Sequence, residues 1–493
     1  MSQVSTGSDG GTPVSSLTAP DKRYRFITMS IIMMGLTMSA VDTTAVVLGL
    51  PVMMVDLNTD IITMIWVILA YLLVITVLGT QVGRLGDMFG RVRMYNLGFA
   101  VFTLGSLFCA VSADGPQLIA FRVLQGIGGA FISSNSGAII ADTFGRKERG
   151  RAFGITGMGW SVGAVLGILV GGFFVTFLSW RYIFFINLPI GVFATIVGFV
   201  YLKERSPRLR ERLDLVGIGL LGVGLFLLLL GMTDVTGAGF QIIFGVEILV
   251  GALLIVGFVL WERRTAAPLL DLTLLKQRVF SASVAASFFQ GLASYAVLFL
   301  VIMYLQGPRG MSPLYASVLL IPGYVLGGFI APFSGRLSDL HGARVIASIG
   351  LILQVGGILI YSTLAIGTPV FVVVIGAVLN GAGSSTFFPA NNSAVMASAP
   401  PRAFGVSAGL LRTFGNLGMV SSFAVALLIA SVAIPRDLAF QIFLGVGVIQ
   451  GPLALAYIDG MHVALLASIS LLLVAIMLSV LRGREERTIR DVP

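Results

Sequence analysis

The sequence predicts an all-α polytopic membrane protein of fourteen transmembrane helices: two six-helix bundles with two helices inserted between them. Three observations lead there. The chain is 57% hydrophobic and 11% charged, against roughly 45–50% and about 25% in soluble domains. That apolar excess recurs in blocks of about twenty residues, each long enough to cross a bilayer as a helix. And one charged, glycine-rich stretch occurs twice: Gly83-Arg84-Leu85-Gly86-Asp87-Met88-Phe89-Gly90-Arg91-Val92-Arg93, then Gly335-Arg336-Leu337-Ser338-Asp339-Leu340-His341-Gly342-Ala343-Arg344.

The apolar blocks place spans near 26–50, 62–82, 94–113, 117–141, 152–177 and 181–202, an inserted pair near 214–233 and 240–261, and six more near 279–305, 314–334, 345–366, 370–394, 405–432 and 461–481. With that count, all but five of the 31 Lys and Arg fall on one side of the membrane, the exceptions being Arg122, Arg181, Arg309, Arg412 and Arg436. Basic connections mark the cytosolic side, so both termini are expected in the cytosol of a cell-membrane protein. The +9 net charge is absorbed by this topology, and no aromatic-interleaved basic surface suggests nucleic acid. Segment 439–457 is apolar, but Gly445, Gly447, Gly451 and Pro452 crowd it. A fifteenth span there would carry the basic C-terminus outside, so it reads as an interfacial or re-entrant element within an outer segment, 436–460.

The resulting organisation is a disordered tail over 1–25, a bundle over 26–203, the inserted pair with basic linkers over 204–278, a second bundle over 279–482 and a tail over 483–493. Ser, Gly and Thr with Pro13 and Pro20 dominate the first tail, which favours disorder and lacks the design of a signal peptide. A second repeat supports the two bundles: Arg151-Ala152-Phe153-Gly154 opens the fifth span and Arg402-Ala403-Phe404-Gly405 the thirteenth. Parallel six-span repeats are a transporter architecture, with the substrate site between the halves near mid-membrane.

These residues resemble the major facilitator superfamily, and within it the fourteen-span drug:proton antiporter branch. The Gly83–Arg93 stretch looks like the superfamily's cytoplasmic signature between spans two and three. Val41-Asp42-Thr43-Thr44 through Leu50-Pro51 resembles the branch's first-span motif, with Val47 where asparagine is usual. Arg122-Val123-Leu124-Gln125-Gly126-Ile127-Gly128-Gly129 is similar to the fourth-span motif, Trp180 through Gly191 to the sixth-span opening, and Tyr304-Leu305-Gln306 to the end of the ninth span. Gly163 through Gly172 matches the fifth-span antiporter signature except that Ile168 replaces its proline; in span thirteen Gly415 stands where arginine is usual, and Arg412 lies three residues earlier. The resemblance implies a multidrug exporter driven by the proton gradient, without a cofactor or metal.

Asp42 lies well inside the first span, where an ionisable group costs at least about 2.5–3.5 kcal/mol on insertion scales unless paired or wet. Surroundings that change between two conformations would change its proton affinity, which makes it the candidate proton carrier. Structural use of the carboxylate, on backbone or on Thr43 and Thr44, is the competing reading. Arg122 is its natural partner, either as an alternating contact or as a permanent ion pair. A cytosolic gate is expected from Gly83, Arg84, Asp87, Gly90, Arg91, Arg93 and Asp339. Here Asp87 meets the positive N-terminal end of span thirteen near 403–405, and Asp339 that of span five near 152–154. Gly159, Gly163, Gly167 and Gly171 recur every four residues in span five and clear one helix face, for a sliding seam between halves or for plain close packing. The substrate cavity is expected to be lined by Gln125, Asn135, Gln290, Tyr295, Gln306, Asn380, Asn391 and Asn392, although such amides also join helices. Glu247 belongs to the inserted pair and is assigned a structural role.

Enzyme chemistry lacks parts: His341 and His462 have no neighbouring nucleophile or ligand cluster, and Cys109 is the one cysteine. A channel fits poorly with paired halves. The expected partners are a small-molecule substrate and the lipid bilayer, with no nucleic acid, and the functional unit is a monomer. An exporter of one endogenous metabolite or lipid, or an importer or uniporter on the same scaffold, is the alternative.

Overall fold

The computed structural model describes residues 21–145, 148–205, 213–238, 241–265, 272–400, 404–433 and 451–483. The first group of helices is α1 (Lys22–Asp56), α2 (Ile61–Phe89), α3 (Arg91–Ala110), α4 (Gly115–Thr143), α5 (Arg149–Phe177), short α6 (Tyr182–Phe185) and α7 (Asn187–Tyr201). A hairpin of α8 (Leu215–Ala238) and α9 (Ile242–Glu262) follows. The second group is short α10 (Leu272–Leu275), α11 (Arg278–Gln306), short α12 (Pro313–Val318), α13 (Ile321–His341), α14 (Ala343–Tyr361), α15 (Val370–Ser398), α16 (Phe404–Ala433) and α17 (Pro452–Leu481). Helices satisfy their own backbone groups, which hydrocarbon cannot do. Side-chain caps fix several starts: Asp60 accepts from the Thr63 N–H at 2.7 Å and Asp114 from that of Gln117 at 2.8 Å.

Among the described residues, twelve helical segments are long and apolar enough to cross a membrane, where the sequence predicts fourteen spans. The long helices outside that set are α4 and α16. In α4 the apolar run is interrupted by Arg122, Gln125, Ser133, Ser134, Asn135 and Ser136.

Several helices overrun their apolar blocks, because backbone bonding continues after hydropathy falls. The last of them begins at Pro452 rather than 461. Residues 452–457 of the expected re-entrant element are therefore the first turns of α17, while 436–450 lie outside the described residues. The same effect corrects the reading of the Gly83 stretch. Gly83, Arg84 and Asp87 belong to the last turns of α2, and Arg91 and Arg93 to the first turn of α3. Gly90 alone separates the helices, at φ +110°, and Gly342 does the same between α13 and α14 at φ +92°. That region strongly favours glycine.

The two groups meet along two seams, α5 against α13 and α2 against α16. In the first, Gly150 and Gly335 touch backbone to backbone, and a Cβ on Gly154 would lie 2.5 Å from the Ala331 carbonyl. In the second, the Thr413 hydroxyl donates to the Thr76 carbonyl at 3.0 Å. The larger apolar core runs through α1–α7 and takes in Phe404 to Val420 of α16; the smaller one lies within α11–α17. The α8–α9 hairpin packs against α2 and α16, with Glu247 set against Gly231 inside it.

The glycine row of α5 faces α1, not the other group. A Cβ on Gly163 would lie 2.6 Å from the Thr37 carbonyl, one on Gly171 2.8 Å from Ala45, and Gly159 and Gly167 face Met33 and Val41. The sliding seam expected of these four glycines is thus a close contact inside the first group. Four-residue spacing shows that a face is clear without showing which helix occupies it.

Candidate functional site

A polar knot lies inside the first group of helices. Arg122 on α4 donates from Nη1 to Asp42 Oδ2 on α1 at 2.6 Å and to Gln125 Oε1 at 2.6 Å. Gln125 closes the ring by donating from Nε2 to Asp42 Oδ1 at 2.8 Å, and it donates to the Ser106 hydroxyl on α3 at the same distance. Arg122 Nε reaches the Val67 carbonyl on α2 at 3.0 Å, and its guanidinium lies 4.2 Å from the Tyr71 ring centre. Asn187 supplies a last donor at 3.3 Å from Asp42 Oδ1. Five helices contribute, and Asp42, Arg122, Gln125, Ser106 and Asn187 are all buried.

Local sequence explains the assembly. Arg122 and Gln125 are three apart on one helix and share a face. Gly105 lies so close to α4 that a Cβ there would fall 2.7 Å from the Gln125 backbone, which sets Ser106 beside the amide. Asn187 opens α7 where the chain breaks from α6, turning its amide inward. In such a low-dielectric setting the ion pair is strong only because hydrogen bonds complete it. The arrangement is a buried carboxylate met by one guanidinium and two amide donors, so the ring opens only if Asp42 and Arg122 exchange each other for new partners.

At the end carrying the repeated stretches, the structure distinguishes the copies. Asp87 Oδ1 accepts from Arg91 Nε and Nη2, both at 2.7 Å, and Arg91 Nη1 reaches Asp142 Oδ1 at 2.6 Å. Glu204, after α7, accepts from the N–H groups of Arg91 at 3.0 Å and Val92 at 3.1 Å. Desolvation against the start of α3 raises the Glu204 carboxyl above the ordinary glutamate range, opposed by those N–H groups. Arg84 is buried and Arg93 exposed. The expected seat of Asp87 near 403–405 falls partly on residue 403, outside the described residues. Asp339 instead crosses between groups, accepting from the N–H groups of Gly150 and Arg151 at 3.1 Å each. That is the first turn of α5, a little ahead of the expected 152–154.

The expected cavity residues divide. Gln125 belongs to the ring. Asn135 donates to the Phe131 carbonyl at 2.9 Å and packs on Gly86; Gln290 meets Gln354 at 3.3 Å; Asn391 donates to the Ser283 carbonyl at 3.0 Å. These three and Gln306 are buried; Gln290 and Asn391 bond across to other helices and Asn135 to its own. Tyr295, Asn380 and Asn392 keep accessible surface. Sequence reasoning missed Ser106, Tyr71, Asp142 and Glu204, and cited Asn187 only as part of a motif. A polar residue opening an apolar run, as Asn187 does, was the available signal. Among the described residues no three His, Cys, Asp or Glu side chains gather as a metal site.

The Major Facilitator Superfamily profile matches residues 31–423 and 283–470, and the chain belongs to that family. It is a multi-pass membrane transporter, not an enzyme. Among its relatives, the riboflavin transporter RibZ of Clostridioides difficile is 31% identical over 402 residues, covering 80% of this chain and 86% of that one. The multidrug transporter protein MdtP of Bacillus subtilis is 29% identical over 403 residues, covering 80% and 73%. The crystal structure of the human organic anion transporter MFSD10 superposes with a TM-score of 0.61 at 18% identity, over 92% of this chain and 99% of the other. At that identity the likeness concerns the fold alone.

Proposed function

We propose that this chain is a proton-coupled exporter of small hydrophobic or amphipathic compounds, working by alternating access across the cell membrane. One observation carries the reading: the buried Asp42–Arg122–Gln125 ring inside a major facilitator chain. Asp42 is the proton carrier and Arg122 the group that holds or releases it. The multidrug relative supports a broad apolar substrate range. The riboflavin transporter favours the narrower alternative, a transporter of one metabolite.

In the same reading α4 and α16 also cross the membrane, which makes fourteen spans. Twenty-nine residues of α4 extend about 43 Å as helix, and its polar side chains at Arg122, Gln125 and Asn135 are buried among neighbouring helices. The basic ends face the cytosol by the charge asymmetry. There the Asp339 contact on α5, with the Asp87–Arg91–Asp142 cluster, serves as the gate.

The deciding experiment uses proteoliposomes with an imposed pH gradient and the fluorescent dye riboflavin. Asp42→Asn is expected to abolish gradient-driven accumulation while the protein folds and still exchanges substrate down its own gradient. Undiminished accumulation would refute the proton role. Accumulation only with the opposite gradient would mark an importer.

A further inference from the structure

Arg412 on α16 departs from how this protein treats Arg122 and Arg482, its two fully buried arginines. Arg122 is tied to Asp42, Gln125 and the Val67 carbonyl; Arg482, at the end of α17, reaches Ser283 at 3.2 Å and Asn391 at 3.4 Å. Arg412 makes neither a hydrogen bond nor an ion pair with any described residue. It is also not sealed, because it keeps accessible surface between its buried neighbours Leu411 and Thr413.

Its position is specific. It stands eight residues into α16, about 12 Å along the axis, inside the helix that packs on α2 and α11. The adjacent Thr413 bonds across to α2, so Arg412 lies at the junction of the two groups, where transporters of this architecture hold their substrates. Tyr295 of α11, half-buried, lies within electrostatic reach of Arg412, and Tyr324 of α13 within reach of Tyr295. Asp42, the carboxylate inside the first group, is already paired with Arg122. Among the described residues no carboxylate pairs with Arg412.

Building on the transporter reading above, we propose that Arg412 is the anion-recognising residue of the substrate site, and that the substrate class is an aromatic organic anion. A carboxylate or sulfonate would take the unused donors of the guanidinium, while Tyr295 and Tyr324 offer rings to a planar body. An organic cation would meet like-charge repulsion at the same place.

The test compares two xanthene dyes, anionic fluorescein and cationic rhodamine 6G, binding to the purified full-length protein by fluorescence anisotropy. The wild type is expected to bind fluorescein more tightly. Arg412→Gln should weaken fluorescein binding roughly ten- to a hundredfold, the worth of hydrogen bonds to a charged group, without weakening rhodamine 6G binding; Arg412→Lys should restore part of it. No fluorescein binding, equal binding of the two dyes by the wild type, or unchanged fluorescein affinity in a folded Arg412→Gln variant would overturn the proposal. The wild-type dye comparison decides even if the variant fails to fold. Loss of the Asp42-dependent gradient effect, by contrast, would break proton coupling and leave the anion preference standing.

Discussion

Arg122 and Arg412 are the same side chain set into two long helices, one in each group, and they are treated in opposite ways. Around Arg122 the chain gathers an amide from its own helix and a carboxylate, a backbone carbonyl and a tyrosine ring from neighbouring ones. Around Arg412 it gathers no hydrogen-bonding partner among the described residues. A guanidinium at membrane depth stays charged, so both must be compensated. The first is compensated by the fold; the second leaves its donors to something that arrives. Burial and charge alone do not separate a structural arginine from a recognising one. The partners do.

The comparison can be broken at the tied end first. Arg122→Gln leaves Asp42 buried without its cation and should cost about 3–5 kcal/mol, read as a large fall in the thermal unfolding temperature in detergent. Arg412→Gln removes a charge with nothing bonded to it and should leave that temperature unchanged or higher. Equal losses in the two variants would dissolve the distinction. The double variant Asp42→Asn/Arg122→Gln should recover much of the single loss, since no orphan charge remains; a fully additive penalty would mean that the two residues act independently.

A smaller effect is expected at Asn187, whose amide completes the coordination of Asp42. Asn187→Ala should cost about 0.5–1.5 kcal/mol as one net hydrogen bond, read as a smaller fall in the same unfolding temperature than Arg122→Gln gives. Asp339→Asn should remove about 0.3–2 kcal/mol of helix-end attraction at α5, seen as easier crosslinking between α5 and α13 when the basic end opens.

The smallest effect comes from Arg181, the contrasting exposed arginine. It pairs with Asp56 at 2.5 Å, both side chains being substantially exposed. The hydrogen bond from Arg181, then that from Trp180, holds the Asp56 carboxyl below its ordinary range. That stabilisation is present above about pH 4 and fades as pH falls through the depressed value. Arg181→Gln should cost only about 0.2–1 kcal/mol and flatten the acid limb of unfolding to that extent.

Most of the helical layout was legible because hydrocarbon leaves a long apolar signature, and the duplicated stretch made the two groups readable. Asp42 and Arg122 were legible as a pair because ionisable residues in apolar runs need each other. Asn187 and Ser106 were not, since a neutral polar residue in a helix announces no partner. The glycine row announced close packing but not against what, and polar side chains that the bundle hides inside α4 keep that helix out of the apolar set. Arg412 was visible in the sequence only as an arginine three residues before the motif position; that it makes no hydrogen bond with a described residue is a fact of three dimensions.

The glycine row has one mechanical consequence. With Gly163 and Gly171 pressed on the backbone of α1, α1 and α5 form a single stiff plate. One margin of that plate rests on α13 through Gly150 and Asp339, and its other member carries Asp42. Tilting α13 therefore leans on the carboxylate's own helix, and no long, yielding side chain stands between Gly163 and Thr37 to absorb the push.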